Sequence, residues 1–147
     1  IAGWRGFDVT TQRVGPDNHI AWSKVRLEAL LADGQPVFVD VTADWCISCI
    51  ANEQAVLLTD EITAAFKDQG VVYMVADWTN YDADIAAFLA GYGRNGIPFY
   101  IMYFADSSRE PLILPQLLTK STVLKAISEV ASNNGTLATS SQKFEAN

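Results

Sequence analysis

The residues most able to do chemistry in this sequence are its two cysteines, Cys46 and Cys49, which are separated by two residues. They follow an apolar run and open a segment of helical composition, so Cys46 is expected in the first turn of a helix. Unpaired backbone N–H groups and the helix dipole favour a thiolate there. Cys49 lies on the same helix face at this spacing, and can attack a mixed disulfide held by Cys46. The pattern predicts thiol–disulfide exchange, with Cys46 as the exposed nucleophile and Cys49 as the resolving thiol.

Other uses of the two thiols are a structural disulfide, half of a metal site, or inert core packing. A structural bridge usually closes a long loop, whereas this one would close almost none. The sequence has one histidine, His19, which leaves too few soft ligands for a closed four-ligand zinc site. Because soft thiolates select Cu(I), a copper-binding or chaperone module is the main alternative of a different class. For exchange itself we expect no metal, and no cofactor beyond the redox-active Cys46–Cys49 pair.

Two carboxylates are placed to serve this pair. Asp40 lies six residues before Cys46, inside the apolar run Val-Phe-Val-Asp-Val, where a buried charge is costly without partners. We expect Asp40 to accept the proton of Cys49, directly or through a water; the alternative is a strand-end residue facing solvent. Glu53 follows Cys49 by four residues and so shares its helix face as a second carboxylate. A solvated helix residue is the alternative for Glu53.

A proline and two tryptophans complete the predicted site. Ile97–Pro98 follows a glycine-containing segment and precedes an apolar strand, which suits a cis peptide bond; a trans turn proline is the alternative. A cis bond would place the Ile97 backbone opposite Cys46, where it could bind an extended substrate segment through main-chain hydrogen bonds. Trp45 and Trp78 could form an apolar rim for the same substrate, or pack in the core.

The elements that must position these residues alternate between helix and strand. Apolar residues recur at helical spacing or in short β-branched runs, and capping residues, Gly and Pro mark the ends. Thr59 is predicted to cap one helix, and Thr79 or Asn80 the next. The order predicts an α/β fold in which a central mixed sheet is flanked by helices on both faces and ends in a hairpin. The predicted helices cover 19–33, 46–58, 60–69, 82–90 and 121–132, and the predicted strands 36–43, 71–77, 98–104 and 110–114.

Length and composition are typical of one globular domain. Of the 147 residues, 50% are apolar and 18% are charged, which is enough to bury a substantial core. We expect the domain over 19–132, an N-terminal arm over 1–18 and a flexible polar tail over 133–147. The net charge of −7 disfavours nucleic acids and anionic lipid surfaces as partners. A monomer is the default expectation.

The sequence also bears on membrane insertion and processing. The apolar run from Ile97 to Ala105 has nine residues, well short of the ~20 that a membrane-spanning helix needs. The chain starts at Ile1 without an initiator methionine or a basic-then-apolar leader. We therefore expect it to be a fragment of a longer precursor.

The sequence resembles the thioredoxin superfamily over about residues 20–132. Asp40 matches the acid of that superfamily, the 45–49 motif matches its CxxC, and Ile97–Pro98 matches its cis-proline, in the same order and spacing. Within that superfamily it is similar to the C-terminal periplasmic domain of the DsbD and ScsB transmembrane reductases. That similarity rests on the segments VDVTADWC, ADWT, YGRNGIP and LPQLLT, together with Glu53. The resemblance implies a thioredoxin-like fold and a periplasmic domain of an inner-membrane protein.

The resemblance also implies a direction of electron flow. Such a domain takes two electrons from a membrane-embedded domain of its parent and passes them to a periplasmic thioredoxin-like partner, or to the parent's N-terminal domain. Cys46 is then the nucleophile, Cys49 the resolver, and Asp40 and Glu53 the carboxylates that tune them. A reductase for cytochrome c maturation, or a disulfide oxidase or isomerase, remain alternatives on the same fold.

One position departs from this family pattern. Ile50 stands where many relatives carry a basic residue directly after the second cysteine, so a charge that could favour the thiolate is missing. Two nearby carboxylates would oppose thiolate formation further. We expect a Cys46 pKa near or above that of a free thiol, and slow reactivity outside complexes.

Overall fold

The computed structural model describes residues 19–106 and 108–134. Five strands and six helical segments follow one another in this part of the chain. They are β1 (Ile20–Ala21), α1 (Lys24–Ala32), β2 (Val37–Thr42), α2 (Ile47–Asn52) continued by a π-helical turn (Glu53–Leu57), α3 (Asp60–Gln69), β3 (Val72–Asp77), α4 (Ala83–Gly91), β4 (Phe99–Tyr103), β5 (Leu112–Leu114) and α5 (Lys120–Asn134).

The strands form one mixed sheet in the order β1-β3-β2-β4-β5. β2 runs parallel to β3 and antiparallel to β4, and β4 pairs antiparallel with β5 as a hairpin. Every residue of β2 is buried, which explains why its sequence is apolar on both faces. The predicted mixed sheet with a terminal hairpin is confirmed, and its central strand is the one that leads into the cysteines.

Helices cover the sheet on both faces and enclose two hydrophobic layers. α1 and α4 pack on one layer, which contains Val39 and Met74. The π-helical turn, α3 and α5 pack on the other, which contains Phe38 and Tyr100. Because side chains alternate along a strand, Asp40 and Thr42 point to the same face as Phe38. The carboxylate of Asp40 therefore lies on the side of the sheet that carries α2.

Phe38 lies at the centre of the second layer and has no exposed surface. Its ring centroid is 5.1 Å from that of Phe66, 5.0 Å from Tyr73 and 6.0 Å from Tyr100. We expect Phe38→Ala to lower the free energy of unfolding by roughly 3–5 kcal/mol, because it leaves a cavity among three rings. Denaturant unfolding of the oxidised protein measures this. Val25→Ala, at a side chain 76% exposed, is the control and should change the free energy of unfolding by less than about 0.5 kcal/mol. Equal losses of stability in the two variants would contradict the central position of Phe38 in the core.

The start of the first predicted helix is wrong. Ile20 and Ala21 do not join a helix but pair in parallel with β3 as an edge strand. The helix begins at Lys24, because the Ser23 hydroxyl accepts the Arg26 backbone N–H at 3.0 Å and caps it. A two-residue strand is too short to show the alternating pattern of a β-strand in the sequence. Its apolar residue Ile20 lies at helical spacing from those of α1, which placed the predicted helix start too early.

The caps and ends of the other helices follow the sequence with two differences. Thr59 caps α3 as predicted, but α4 is capped by Asp82, whose Oδ1 accepts the backbone N–H groups of Asp84 and Ile85. The cap predicted at Thr79 or Asn80 is therefore wrong, since Asp82 stands next to the first helical residue. α5 continues to Asn134, two residues beyond its predicted end. The tail predicted over 133–147 is therefore wrong for its first two residues, which are helical. Its remaining residues, 135–147, and the predicted arm over 1–18 lie outside the described residues.

Candidate active site

Cys46 and Cys49 form a disulfide with their Cα atoms 5.2 Å apart. Cys46 is the N-cap residue of α2, and the backbone N–H of Cys49 donates to its Sγ at 3.2 Å. Cys46 retains 6% exposure and Cys49 none. The predicted position of the pair at a helix start is confirmed, and Cys46 is the more exposed of the two residues.

Asp40 and Glu53, which we call the carboxylate pair, are both buried beneath this helix. Asp40 has no exposed surface, and its Oδ2 accepts a hydrogen bond from the Tyr73 hydroxyl at 2.8 Å. Glu53 is 1% exposed, and its Oε2 accepts from the Thr42 hydroxyl at 2.8 Å. The solvent-facing alternatives for both residues are therefore wrong. Each carboxylate has a neutral donor, which offsets part of the cost of its burial.

Two buried tyrosines lie close enough to the carboxylate pair for its negative charge to raise their pKa values. Burial first, and then the charge and hydrogen bond of Asp40 and the charge of Glu53, raise the pKa of Tyr73 well above its usual value. Burial and the charge of Asp40 likewise raise the pKa of Tyr100. Both tyrosines therefore stay protonated at physiological pH. Tyr73 acts on Asp40 as a neutral hydrogen-bond donor and adds no charge beneath the disulfide.

The Ile97–Pro98 peptide bond is cis, as predicted. Ile97 packs against the buried cluster formed by Ala43, Cys46 and Cys49. Pro98 is buried and immediately precedes β4, and its carbonyl accepts from the Gln116 side-chain amide at 3.2 Å. The fold thus brings the proline bend to the disulfide from a part of the chain about fifty residues away.

Three aromatic side chains, the aromatic rim, stand beside the disulfide loop: Trp45, Trp78 and Tyr81. The Trp45 ring stacks on Tyr81 at 5.4 Å and lies 6.3 Å from Trp78. Trp45 is 46% and Tyr81 62% exposed, and the Trp45 indole N–H donates to the Thr79 carbonyl at 3.1 Å. Trp45 and Trp78 therefore lie side by side; their contact with a substrate stays a prediction. The rim presents apolar surface to solvent next to Cys46.

Comparison with known protein families supports the same fold. A family model described as thioredoxin-like matches residues 18–105, more than half of the chain. The chain belongs to the thioredoxin-like family.

Curated relatives of this thioredoxin-like chain are named thiol:disulfide interchange protein DsbD. The match to the protein of Ralstonia nicotianae is 35% identical over 86 residues and covers 58% of this chain and 14% of that protein. The match to the protein of Yersinia enterocolitica is 30% identical over 99 residues and covers 63% and 17%. The chain thus spans less than a fifth of the length of these relatives.

Solved structures show the same thioredoxin fold. The oxidised C-terminal domain of Neisseria meningitidis DsbD superposes with a TM-score of 0.56 at 24% identity, covering 75% of this chain and 97% of that one. A thioredoxin from Thermus thermophilus gives a TM-score of 0.61 at 16% identity, covering 80% and 91%. This chain is thus a thioredoxin-like domain that carries a Cys46–Cys49 disulfide and is similar in sequence to DsbD interchange proteins.

Sequence reasoning missed several residues of the thioredoxin-like site. Thr42 and Tyr73 hold the carboxylate pair, and Tyr81 completes the aromatic rim. Thr42 lies two residues after Asp40 and so on the same strand face, a signal that could have identified it. Asn52, which follows Cys49 by three residues, is 4% exposed and was equally detectable by its helical spacing.

Other features of the thioredoxin-like fold lie away from this site. A groove of about 780 Å³ between α1 and α4, lined by Trp22, Phe88 and Tyr92 among others, does not include the disulfide. Among residues 19–106 and 108–134, no three His, Cys, Asp or Glu side chains are grouped so that they could hold a metal ion. Within the same ranges no helix is both long and apolar enough to cross a membrane.

Proposed function

We propose that this domain is a thiol:disulfide reductase that relays two electrons from a membrane-embedded domain of its parent protein to disulfides of periplasmic proteins. The observation that carries the proposal is the position of the Cys46–Cys49 disulfide. It lies at the start of a helix, beside a cis-proline bend and above a buried carboxylate pair.

The first step uses the reduced domain. The Cys46 thiolate attacks one sulfur of the partner's disulfide, forms a mixed disulfide with it, and displaces the other sulfur as a thiolate. The 6% exposure of Cys46 against none for Cys49 supports this order, because a partner's sulfur reaches the more exposed thiol. The Cys49 N–H beside the Cys46 Sγ supplies one hydrogen bond to the attacking thiolate.

The second step needs Cys49 to lose its proton. Asp40 accepts that proton, directly or through a water, and the Cys49 thiolate then attacks the Cys46 sulfur. The Cys46–Cys49 disulfide forms as the bond between Cys46 and the partner's sulfur breaks. The partner, which has gained two electrons, becomes a dithiol when its two thiolates take up the proton held by Asp40 and one proton from water. The burial of Asp40, and the hydrogen bond it accepts from Tyr73, support this role. Glu53 contributes a second negative charge that tunes both thiols.

The partner is held by surfaces around the disulfide. In this proposal the backbone of the Ile97–Pro98 bend pairs with an extended segment of the partner, while Trp45 and Trp78 of the aromatic rim cover its apolar side chains. The packing of Ile97 against the buried cluster that contains Cys46 and the exposure of Trp45 support this arrangement.

The parent protein and its compartment are inferred from the relatives. Because the matched proteins are DsbD interchange proteins several times longer than this chain, we assign the domain to the periplasmic side of an inner-membrane protein. The electron donor is then the parent's transmembrane domain. The acceptor is a periplasmic thioredoxin-like protein or the parent's N-terminal domain.

The reduction potential of the Cys46–Cys49 pair tests the direction of transfer. We expect a value below about −200 mV, toward the ~−270 mV of thioredoxin, because the buried carboxylates oppose the thiolate and so disfavour the dithiol form. Equilibration with defined dithiol–disulfide buffers, followed by alkylation and mass measurement, gives the value. A potential near ~−120 mV, as in a strong oxidant, would make this domain a disulfide donor instead.

A further inference from the structure

The Asn52 side chain makes three hydrogen bonds from a buried position at the end of α2. Its side-chain amide donates to the Gln116 carbonyl at 2.7 Å and to the Tyr100 hydroxyl at 2.9 Å. Its Oδ1 accepts the Leu118 backbone N–H at 3.2 Å. Two of these three partners are backbone groups of the 115–118 segment, which joins β5 to α5.

A fourth hydrogen bond joins the 115–118 segment to the active-site bend. In that fourth bond the Gln116 side-chain amide donates to the Pro98 carbonyl at 3.2 Å. The bonds therefore run from α2, which starts at the disulfide, through the 115–118 segment to the cis-proline bend. Between the two anchored residues lies Leu117, whose side chain is 81% exposed.

We propose that Asn52 is a positioning residue for the partner-binding surface, which it holds in place through Gln116 and Leu118. This inference rests on the proposed function, because it concerns how a protein disulfide is bound before exchange. Asn52 fixes the 115–118 segment to the active-site helix, Gln116 passes that constraint to the Pro98 carbonyl, and Leu117 is presented to the partner as an apolar contact.

The burial of Asn52 is what makes this constraint firm. At 4% exposure, the Asn52 amide meets little competition from water for its hydrogen bonds. Removing this amide would leave the Gln116 carbonyl and the Leu118 N–H without their partner. Tyr100 bonds the same amide from the core side, which fixes the orientation of the Asn52 side chain. A small disulfide needs only access to Cys46, whereas a protein disulfide also needs the bend and the 115–118 segment in register.

The test compares a protein disulfide with a small one. Reduced wild-type and Asn52→Ala chains are assayed with insulin, with dithiothreitol as the recycling reductant, and separately with glutathione disulfide. We expect Asn52→Ala to raise the KM for insulin about tenfold, which corresponds to ~1.4 kcal/mol of lost binding. The kcat for insulin and the rate with glutathione disulfide should each stay within about twofold of wild type. The reduction potential should shift by no more than the equivalent of about a twofold change in the exchange equilibrium constant.

Two further variants keep the result interpretable. Gln116→Ala, at an exposed side chain, cuts only the bond to Pro98 and should raise the insulin KM in the same direction even if Asn52→Ala fails to fold. Tyr100→Phe removes the core-side bond of Asn52 and should change that KM less than Gln116→Ala does. An unchanged insulin KM in both Asn52→Ala and Gln116→Ala, or equal losses with insulin and glutathione disulfide, overturns the inference. If the wild-type chain itself reduces no insulin beyond the dithiothreitol background, the proposed function fails instead.

Discussion

Cys46→Ser is expected to abolish disulfide exchange while leaving the fold intact. The serine hydroxyl cannot form a mixed disulfide, and Cys49, which has no exposed surface, cannot replace it as the attacking thiol. The fold survives because the bridge spans only three positions, so its loss costs about 2 kcal/mol by loop entropy. Insulin reduction should fall to the background of the recycling reductant, with a cooperative thermal transition retained.

Cys49→Ser is the matched variant for this experiment. It keeps the nucleophile and removes the resolving thiol, so it should accumulate a stable mixed disulfide with a protein partner, visible on a non-reducing gel and lost on reduction. The opposite pattern, in which Cys46→Ser traps partners and Cys49→Ser does not, would make Cys49 the nucleophile and Cys46 the resolving thiol. Unfolding of both variants would instead favour a structural disulfide.

Asp40→Asn is expected to slow exchange while making Cys46 more reactive. Loss of the proton acceptor for Cys49 should reduce turnover about 100-fold, at the lower end of the range for general-base catalysis. Loss of a buried negative charge should lower the pKa of the Cys46 thiol, because a like charge disfavours the thiolate. Insulin reduction measures the first effect, and the rate of alkylation of the reduced protein against pH measures the second.

The sign of each effect distinguishes this interpretation from a general loss of structure. In the wild type, alkylation should reach half its maximal rate at a pH near or above the pKa of a free thiol, about 8.5, and in Asp40→Asn at a lower pH. Glu53→Gln should move that midpoint in the same direction. Asp68→Asn, which removes an exposed carboxylate at the end of α3, should change neither quantity, because water screens its charge. A wild-type midpoint well below ~7 would contradict the proposed tuning.

Much of the candidate site could be predicted from the sequence, because its members are marked by local pattern. The CxxC spacing, the charge of Asp40 within an apolar strand and the glycines before Pro98 are each visible within a few residues. Their hydrogen-bond partners are not. Tyr73 reaches Asp40 across neighbouring strands, and Asn52 reaches Gln116 across 64 residues, so both contacts depend on tertiary structure that local pattern does not encode.

The fold shows the same division between local and distant causes. Long elements such as β2 and α3 were predicted to within a residue or so, because burial or a Thr59 cap defines them locally. β1 was missed because it exists only through pairing with β3. The cap of α4 was misplaced because Thr79 instead accepts the Asp44 backbone N–H at 2.9 Å, a bond that joins the disulfide loop to a distant turn.

The π-helical turn at Glu53–Leu57 has a consequence for how this protein can change over evolution. Its Leu58 N–H bonds the carbonyl five residues back, at Glu53, over 2.8 Å, so the turn holds one residue more than an α-helical turn. That residue rotates everything after it by about 100° relative to a continuous helix. The half that ends at Glu53 can therefore face the disulfide while Val56 and Leu57 face the core. Substitutions in the core-facing half should therefore disturb the half that faces the disulfide less than they would in a continuous α-helix.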